Sequence, residues 1–170
     1  MRNLKLRLSR PVSAESFIND HISREAITEH RIQELKVLRA MAPKHILVAE
    51  DEQHMRHTLS LILKKAGYSV SKAGDGYEAL KMIVDSRNGT RPVDLLLTDI
   101  QMPGLTGMEL IAQLDQLNIS LPIFVITGYG DKETVIELKH VGIAEYIEKP
   151  FMAETLLESV SKIFEKEGKK

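Results

Sequence analysis

Five chemically competent side chains stand where apolar runs end. Val93-Asp94-Leu95-Leu96-Leu97-Thr98 closes on Asp99, and Ile46-Leu47-Val48-Ala49 closes on Glu50 and Asp51. Leu121-Pro122-Ile123-Phe124-Val125-Ile126 closes on Thr127, and Glu145-Tyr146-Ile147 leads to Lys149-Pro150. Short apolar runs bounded by turn signals read as strands buried on both faces, the pattern of a parallel sheet. Parallel strands place all their carboxyl ends at one edge, so residues far apart in sequence converge in one crevice. That crevice would hold three carboxylates, one hydroxyl and one ammonium.

Two unit charges about 4 Å apart repel by roughly 4 kcal/mol at an effective dielectric of about 20, so three clustered carboxylates require a cation. With oxygen ligands only, a hard ion that keeps several waters is the natural choice, Mg²⁺ or Mn²⁺. Lys149 would neutralise much of the remaining charge. A carboxylate-bound metal, an ammonium and a hydroxyl together cradle phosphoryl oxygens, and a strand-end Asp can act as the nucleophile and form an aspartyl phosphate. Asp99 is that candidate, with Lys149 and the ion stabilising the transferring group and Thr127 bonding a phosphoryl oxygen afterwards. Taken singly, Asp51 reads equally well as a helix cap, Asp99 as a turn residue, Thr127 as a strand end and Lys149 as a solvated charge. All four at successive strand ends favour a site. A cis bond before Pro150 would turn the Lys149 side chain into the pocket.

The elements that must position these groups are legible in the intervening pattern. Met55, Leu59, Ile62 and Leu63 recur at helical spacing until Gly67, and Tyr68-Ser69-Val70-Ser71 reads as a shorter strand. Gly74-Asp75-Gly76 turns into a helix carrying Ala79, Leu80, Ile83 and Val84, and Asn88 to Pro92 form a loop. Further helices are expected over Gly107–Leu117, Lys132–His140 and Ala153–Glu165. Five strands alternating with five helices at short connections imply an α/β fold: a doubly wound parallel sheet with right-handed crossovers and helices on both faces.

Residues 1–43 differ in character. They carry eight Lys/Arg against five Asp/Glu, whereas 44–170 carry fifteen against nineteen. Residues 1–10 read as a basic tail, followed by helices starting near Ser13 and at Ser23, where Ile22 and Ile27 suit a hydrophobic staple. Ile27, Leu35, Leu38 and Met41 share a face interrupted by Arg31, and the helix should stop before Pro43. His30 invites reading as a phosphorylatable histidine, but between Glu29 and Arg31 on an amphipathic helix it reads as a solvated surface residue. The formal net charge of −1 argues against a general nucleic-acid binder, and the absence of cysteine excludes disulfides and thiolate metal sites. No apolar run approaches the roughly 18 residues of a membrane span. The opening Met1 to Arg10 lacks the apolar stretch of a secretory signal and only loosely resembles a transit peptide, so the expected location is the cytoplasm.

Residues 44–167 resemble the receiver domain of two-component response regulators. The resemblance rests on Ile46 to Glu52, on Leu96-Leu97-Thr98-Asp99-Ile100-Gln101-Met102-Pro103-Gly104-Leu105-Thr106-Gly107, on Val125-Ile126-Thr127-Gly128 and on Tyr146-Ile147-Glu148-Lys149-Pro150-Phe151, all in the family's order and spacing. It implies a flavodoxin-like sheet in the order 2-1-3-4-5, with residues 1–43 as a helical extension. It also implies Asp99 as phosphoacceptor and Mg²⁺ ligand, Asp51 as a direct metal ligand, Glu50 as a ligand through water, and a Gln101 backbone carbonyl on the ion. Thr127 and Lys149 would contact the phosphoryl group, and Tyr146 would be the switch aromatic that moves inward with Thr127. The readout surface would be the last two helices and the fifth strand. Glu50 replaces the commoner Asp, and Tyr129 lies where the family tunes hydrolysis of its acyl phosphate. A bulky Tyr129 should slow self-dephosphorylation, so Tyr129→Ala should shorten the phosphoryl lifetime.

The resulting expectation is a phosphorelay protein with no enzymatic activity beyond self-phosphorylation and self-dephosphorylation. Its partners would be a histidine kinase or histidine phosphotransfer protein and a downstream protein target, with no direct contact to nucleic acid or membrane. Homodimerisation could use the 1–43 extension or the last two helices. No output domain is expected after the fifth helix, where the chain ends. A phosphatase of the haloacid dehalogenase type would resemble Asp-x-Asp at the nucleophile, whereas Gln101 stands at the second position and a cap domain has no room. A dinucleotide-binding domain lacks Gly-x-Gly-x-x-Gly after the first strand.

Overall fold

A computed structural model describes residues 29–34, 37–39, 41–87, 89, 91–128 and 140–168. The chain falls into two compact units, Met1–Ala42 and Pro43–Lys170. In the first, residues 29–34, 37–39 and 41 are helical, and the apolar Ile32, Val37, Leu38 and Met41 are exposed. His30 Nε2 lies 3.3 Å from Glu34 Oε1 one turn on, both on exposed side chains, as suits a surface residue. The basic tail over 1–10, the helix starts near Ser13 and Ser23, the Ile22–Ile27 staple and Leu35 lie outside the described residues.

The second unit is built on five parallel strands: β1 (His45–Ala49), β2 (Ser69–Ala73), β3 (Leu95–Asp99), β4 (Ile123–Thr127) and β5 (Glu145–Glu148). Their order is β2-β1-β3-β4-β5, the flavodoxin-like arrangement the family resemblance implied. Every neighbouring pair is parallel. The helices among the described residues of this unit are α1 (Gln53–Lys65), α2 (Gly76–Arg87), α3 (Gly107–Gln116) and α4 (Ala153–Glu167). The helix expected over Lys132–His140 lies outside the described residues except for His140, which is helical.

Period-two side-chain alternation divides the core into two layers. On one face Ile46, Val48, Leu95, Leu97, Phe124 and Ile126 pack with Leu59 and Leu63 of α1 and with Leu156, Val160 and Ile163 of α4. On the other, Leu47, Ala49 and Leu96 pack with Ala79 and Ile83 of α2 and with Leu110 and Leu114 of α3. Each fully buried Leu or Ile contributes roughly 1.5–3 kcal/mol, so the central strands β1 and β3, buried at every position, anchor the sheet.

Local chemistry sets the element boundaries. Thr106 caps α3 reciprocally: its hydroxyl accepts from the Glu109 N–H, and Glu109 Oε2 accepts from the Thr106 N–H at 2.9 Å. Asp75 Oδ1 accepts from the Glu78 N–H at 2.8 Å to start α2, while Glu78 Oε2 takes the Gly74 N–H at 2.7 Å. β3 begins at Leu95, two residues later than the apolar run; just before it the Asp94 carboxylate takes the His45 N–H at 2.8 Å while the Asp94 N–H donates to the His45 carbonyl at 2.8 Å. β2 runs to Ala73, beyond the expected Ser71.

Candidate functional site

β1 and β3 are adjacent and in register from Ile46–Leu95 to Ala49–Thr98, so Glu50 and Asp51 emerge beside Asp99. β4 pairs with β3 on its other side and β5 with β4, which brings Thr127 and Lys149 to the same edge. The Lys149–Pro150 bond is cis. Lys149 Nζ donates to Asp99 Oδ2 at 2.6 Å and to Glu50 Oε2 at 2.9 Å, tying together residues 50 and 99 positions away in sequence. Carboxylate oxygens of Glu50, Asp51 and Asp99 lie within 4.8 Å of one another, with Glu50 and Asp99 buried and Asp51 exposed.

Each group is held by identifiable neighbours. Asp99 Oδ1 accepts from the Gln101 N–H at 3.0 Å, so both of its oxygens are engaged and the carboxylate has a fixed orientation. The buried Thr98 hydroxyl donates to the Asp99 carbonyl at 2.9 Å. Gly107 opens α3 directly on this backbone, its N–H donating to the Ile100 carbonyl at 2.8 Å; a Cβ at Gly107 would overlap the Asp99 carbonyl oxygen. Glycine is required there by close approach.

The electrostatics follow from burial and pairing. Burial pushes the Glu50 carboxyl above the ordinary carboxylate range, opposed by the Lys149 hydrogen bond and reinforced by repulsion from Asp99. Burial acts to lower Lys149, but its hydrogen bonds to Asp99 and Glu50 prevail and leave the ammonium held above its usual value. Among the described residues the site is thus a cluster of three carboxylates offset in part by the Lys149 ammonium, with an open side at Asp51.

Thr127 is buried at the end of β4, and its hydroxyl donates to the Gly128 carbonyl at 2.8 Å. Tyr146, half-buried on β5, packs against the small cluster of Ile111 and Val125. Gln101 is exposed, with its backbone N–H directed to Asp99. Tyr129 lies outside the described residues. Arg56, one turn into α1, was not singled out by sequence. Its Nη1 donates to the backbone carbonyls of both Glu50 and Asp51, at 2.9 Å in the latter case. The available signal was its spacing of five and six residues after the acidic pair.

Residues 46–161 match the model of the response regulator receiver domain. Over 118 residues the chain is 33% identical to the transcriptional regulatory protein FixJ of Rhizobium meliloti, a match covering 69% of this chain and 55% of FixJ. It is also 33% identical over 124 residues to the chemotaxis protein CheY of Pseudomonas aeruginosa, covering 71% of this chain and 96% of CheY. The crystal structure of a response regulator receiver domain protein from Clostridium thermocellum superposes with a TM-score of 0.67 at 26% identity, covering 74% of this chain and 97% of that one. The chain spans about half the length of FixJ. It belongs to the response regulator receiver domain family, the receivers of two-component signal transduction. No helix among the described residues is long and apolar enough to cross a membrane.

Proposed function

We propose that this receiver takes a phosphoryl group on Asp99 from a histidine kinase or histidine phosphotransfer protein and passes the signal to a protein target by a conformational change. The observation that carries the reading is the Asp99 carboxylate at the end of the central strand β3, oriented by the Gln101 backbone N–H and Lys149 within a cluster of acidic oxygens. The cluster suits a hard divalent cation, Mg²⁺ or Mn²⁺: its ligands are all oxygens, they lie close enough to share one ion, and Asp51 leaves an open approach. Glu50, Asp51 and Asp99, with the Gln101 backbone carbonyl, would hold it. When bound, the ion supplies positive charge to the non-bridging phosphoryl oxygens.

An Asp99 carboxylate oxygen attacks phosphorus in line with the leaving imidazole nitrogen. The P–N bond breaks, its electron pair remains on the imidazole, and an acyl phosphate O–P bond forms. Lys149 stays beside the acceptor and offsets charge on the transferring group. Before transfer the Thr127 hydroxyl is spent on the Gly128 carbonyl. Having one proton to donate, it must release that carbonyl to bond a phosphoryl oxygen, and this displacement opens space toward which Tyr146 moves. Phosphorylation thereby biases a two-state element read out on β5 and the last two helices. The chemistry is self-phosphorylation and self-dephosphorylation, without turnover of a separate substrate. The acidic balance of residues 44–170 supports protein partners over direct nucleic-acid contact.

Incubation with acetyl phosphate and Mg²⁺, followed by intact-mass measurement, tests the reading. Addition of one phosphoryl group, lost with a chelator and in Asp99→Asn, is the expected outcome. Labelling that persists in Asp99→Asn would sink it.

A further inference from the structure

The turn between β1 and α1 carries two of the three clustered carboxylates, yet its helix begins without a side-chain cap, the N-cap residue Glu52 making no such bond. What holds this turn from within α1 is Arg56. The two N–H bonds of its Nη1 reach the carbonyl oxygens of Glu50 and Asp51, consecutive residues whose side chains belong to the acidic cluster. The same guanidinium runs beside Gly74 in the turn after β2, where a Cβ would lie 3.7 Å from Nη1. The Glu50 N–H donates to the Ala73 carbonyl at 3.2 Å, so the two turns are already joined by backbone. Arg56 is half-buried, and its charge sits behind the acidic pair on the main-chain side.

We propose that Arg56 is a positioning residue for the cation site: by clasping both carbonyls it fixes the peptide between Glu50 and Asp51, and so the directions in which the two carboxylates leave the backbone. Three carboxylates sharing a site with a single ammonium repel one another, and without a clasp the exposed Asp51 swings toward water. Arginine suits the task because one Nη nitrogen carries two N–H bonds at a fixed angle and keeps its charge at every working pH. The Arg56 proposal rests on the cation reading of the cluster given above. Outer partners of this kind typically change metal affinity by on the order of 10–100-fold when removed.

The test titrates the full chain with Mn²⁺ and counts free ion by electron paramagnetic resonance, which needs no phosphoryl donor. Arg56→Met keeps the length of the stem and removes both hydrogen bonds; Arg56→Lys restores a charged donor. The expected result is saturable binding by the parent, affinity lowered by on the order of tenfold in Arg56→Met, and partial recovery in Arg56→Lys. Thermal melting of each variant identifies any that fails to fold, and Arg56→Lys then carries the comparison against the parent. An Arg56→Met variant that folds and melts earlier but binds Mn²⁺ within about twofold of the parent has lost only a structural bond, and overturns the proposal. Absence of saturable binding by the parent would instead refute the cation site itself, and the role of Arg56 with it.

Discussion

Replacing Lys149 by Met keeps most of the side-chain volume while removing the ammonium that bonds Asp99 Oδ2 at 2.6 Å and Glu50 Oε2 at 2.9 Å. Each charge-assisted bond contributes about 1.5–3 kcal/mol, and stranding a fully buried charge costs about 3–5 kcal/mol. Lys149 keeps 24% of its side chain exposed, so water entering along that opening resolvates part of what the variant loses. The expected destabilisation in metal-free buffer is therefore about 2–3 kcal/mol, which for a domain of this size lowers the melting temperature by about 6–9 °C. The pH dependence discriminates this cause from a packing defect. Burial already raises the Glu50 carboxyl above its unfolded value, and the variant loses both Lys149 contributions that oppose this while repulsion from Asp99 remains. An acid whose folded pKa lies above its unfolded value penalises folding at higher pH, and the penalty fades as pH falls toward the unfolded value. The gap between variant and parent should accordingly narrow from about pH 7.5 to about pH 5, measured by circular dichroism melts at both. A loss under about 2 °C, or one of equal size at both pH values, would refute the electrostatic account.

Two further outcomes follow from the same geometry. Gly107→Ala places a methyl group against the Asp99 carbonyl oxygen and 2.9 Å from Ile100 Cα, and overpacking of this kind costs roughly 1–3 kcal/mol in denaturant unfolding. Gly128→Ala meets nothing within 4 Å among the described residues and should stay within about 0.5 kcal/mol of the parent; equal losses at the two positions would contradict the close-approach argument. Mg²⁺ at about ten times its dissociation constant should stabilise the parent by about 1.4 kcal/mol, and Asp51→Asn should remove most of the accompanying rise in melting temperature. An undiminished rise in Asp51→Asn would place the ion elsewhere.

The central strands and their carboxyl-end residues were legible because β1 and β3 are buried on both faces and read as unbroken apolar runs. β2 was harder to bound: it is an edge strand, half-buried over Ser69–Ser71 with Lys72 exposed, so its composition carries little contrast with a loop. Asp94 sits between the apolar Val93 and Leu95 and so looks like strand, but it holds His45 through both its carboxylate and its backbone N–H, and the regular strand starts one residue later at Leu95. Asp99, Glu50 and Lys149 could be brought together from topology alone, since parallel strands leave few places for their ends to go. Arg56 could not, because an arginine on the polar side of an amphipathic helix looks like a solvated charge until its carbonyl partners are known. The Thr127–Gly128 bond was equally hidden, being a choice of hydroxyl rotamer at a position whose residue type is all the sequence records.

The most direct measurement locates the phosphoryl group chemically. After reaction with acetyl phosphate and Mg²⁺, borohydride reduces an aspartyl phosphate to homoserine, and peptide mass spectrometry identifies the converted residue. Homoserine at position 99 and at no other aspartate is the predicted result. Conversion at Asp51, or a borohydride-resistant phosphate on a hydroxyl side chain or on His30, would contradict the account.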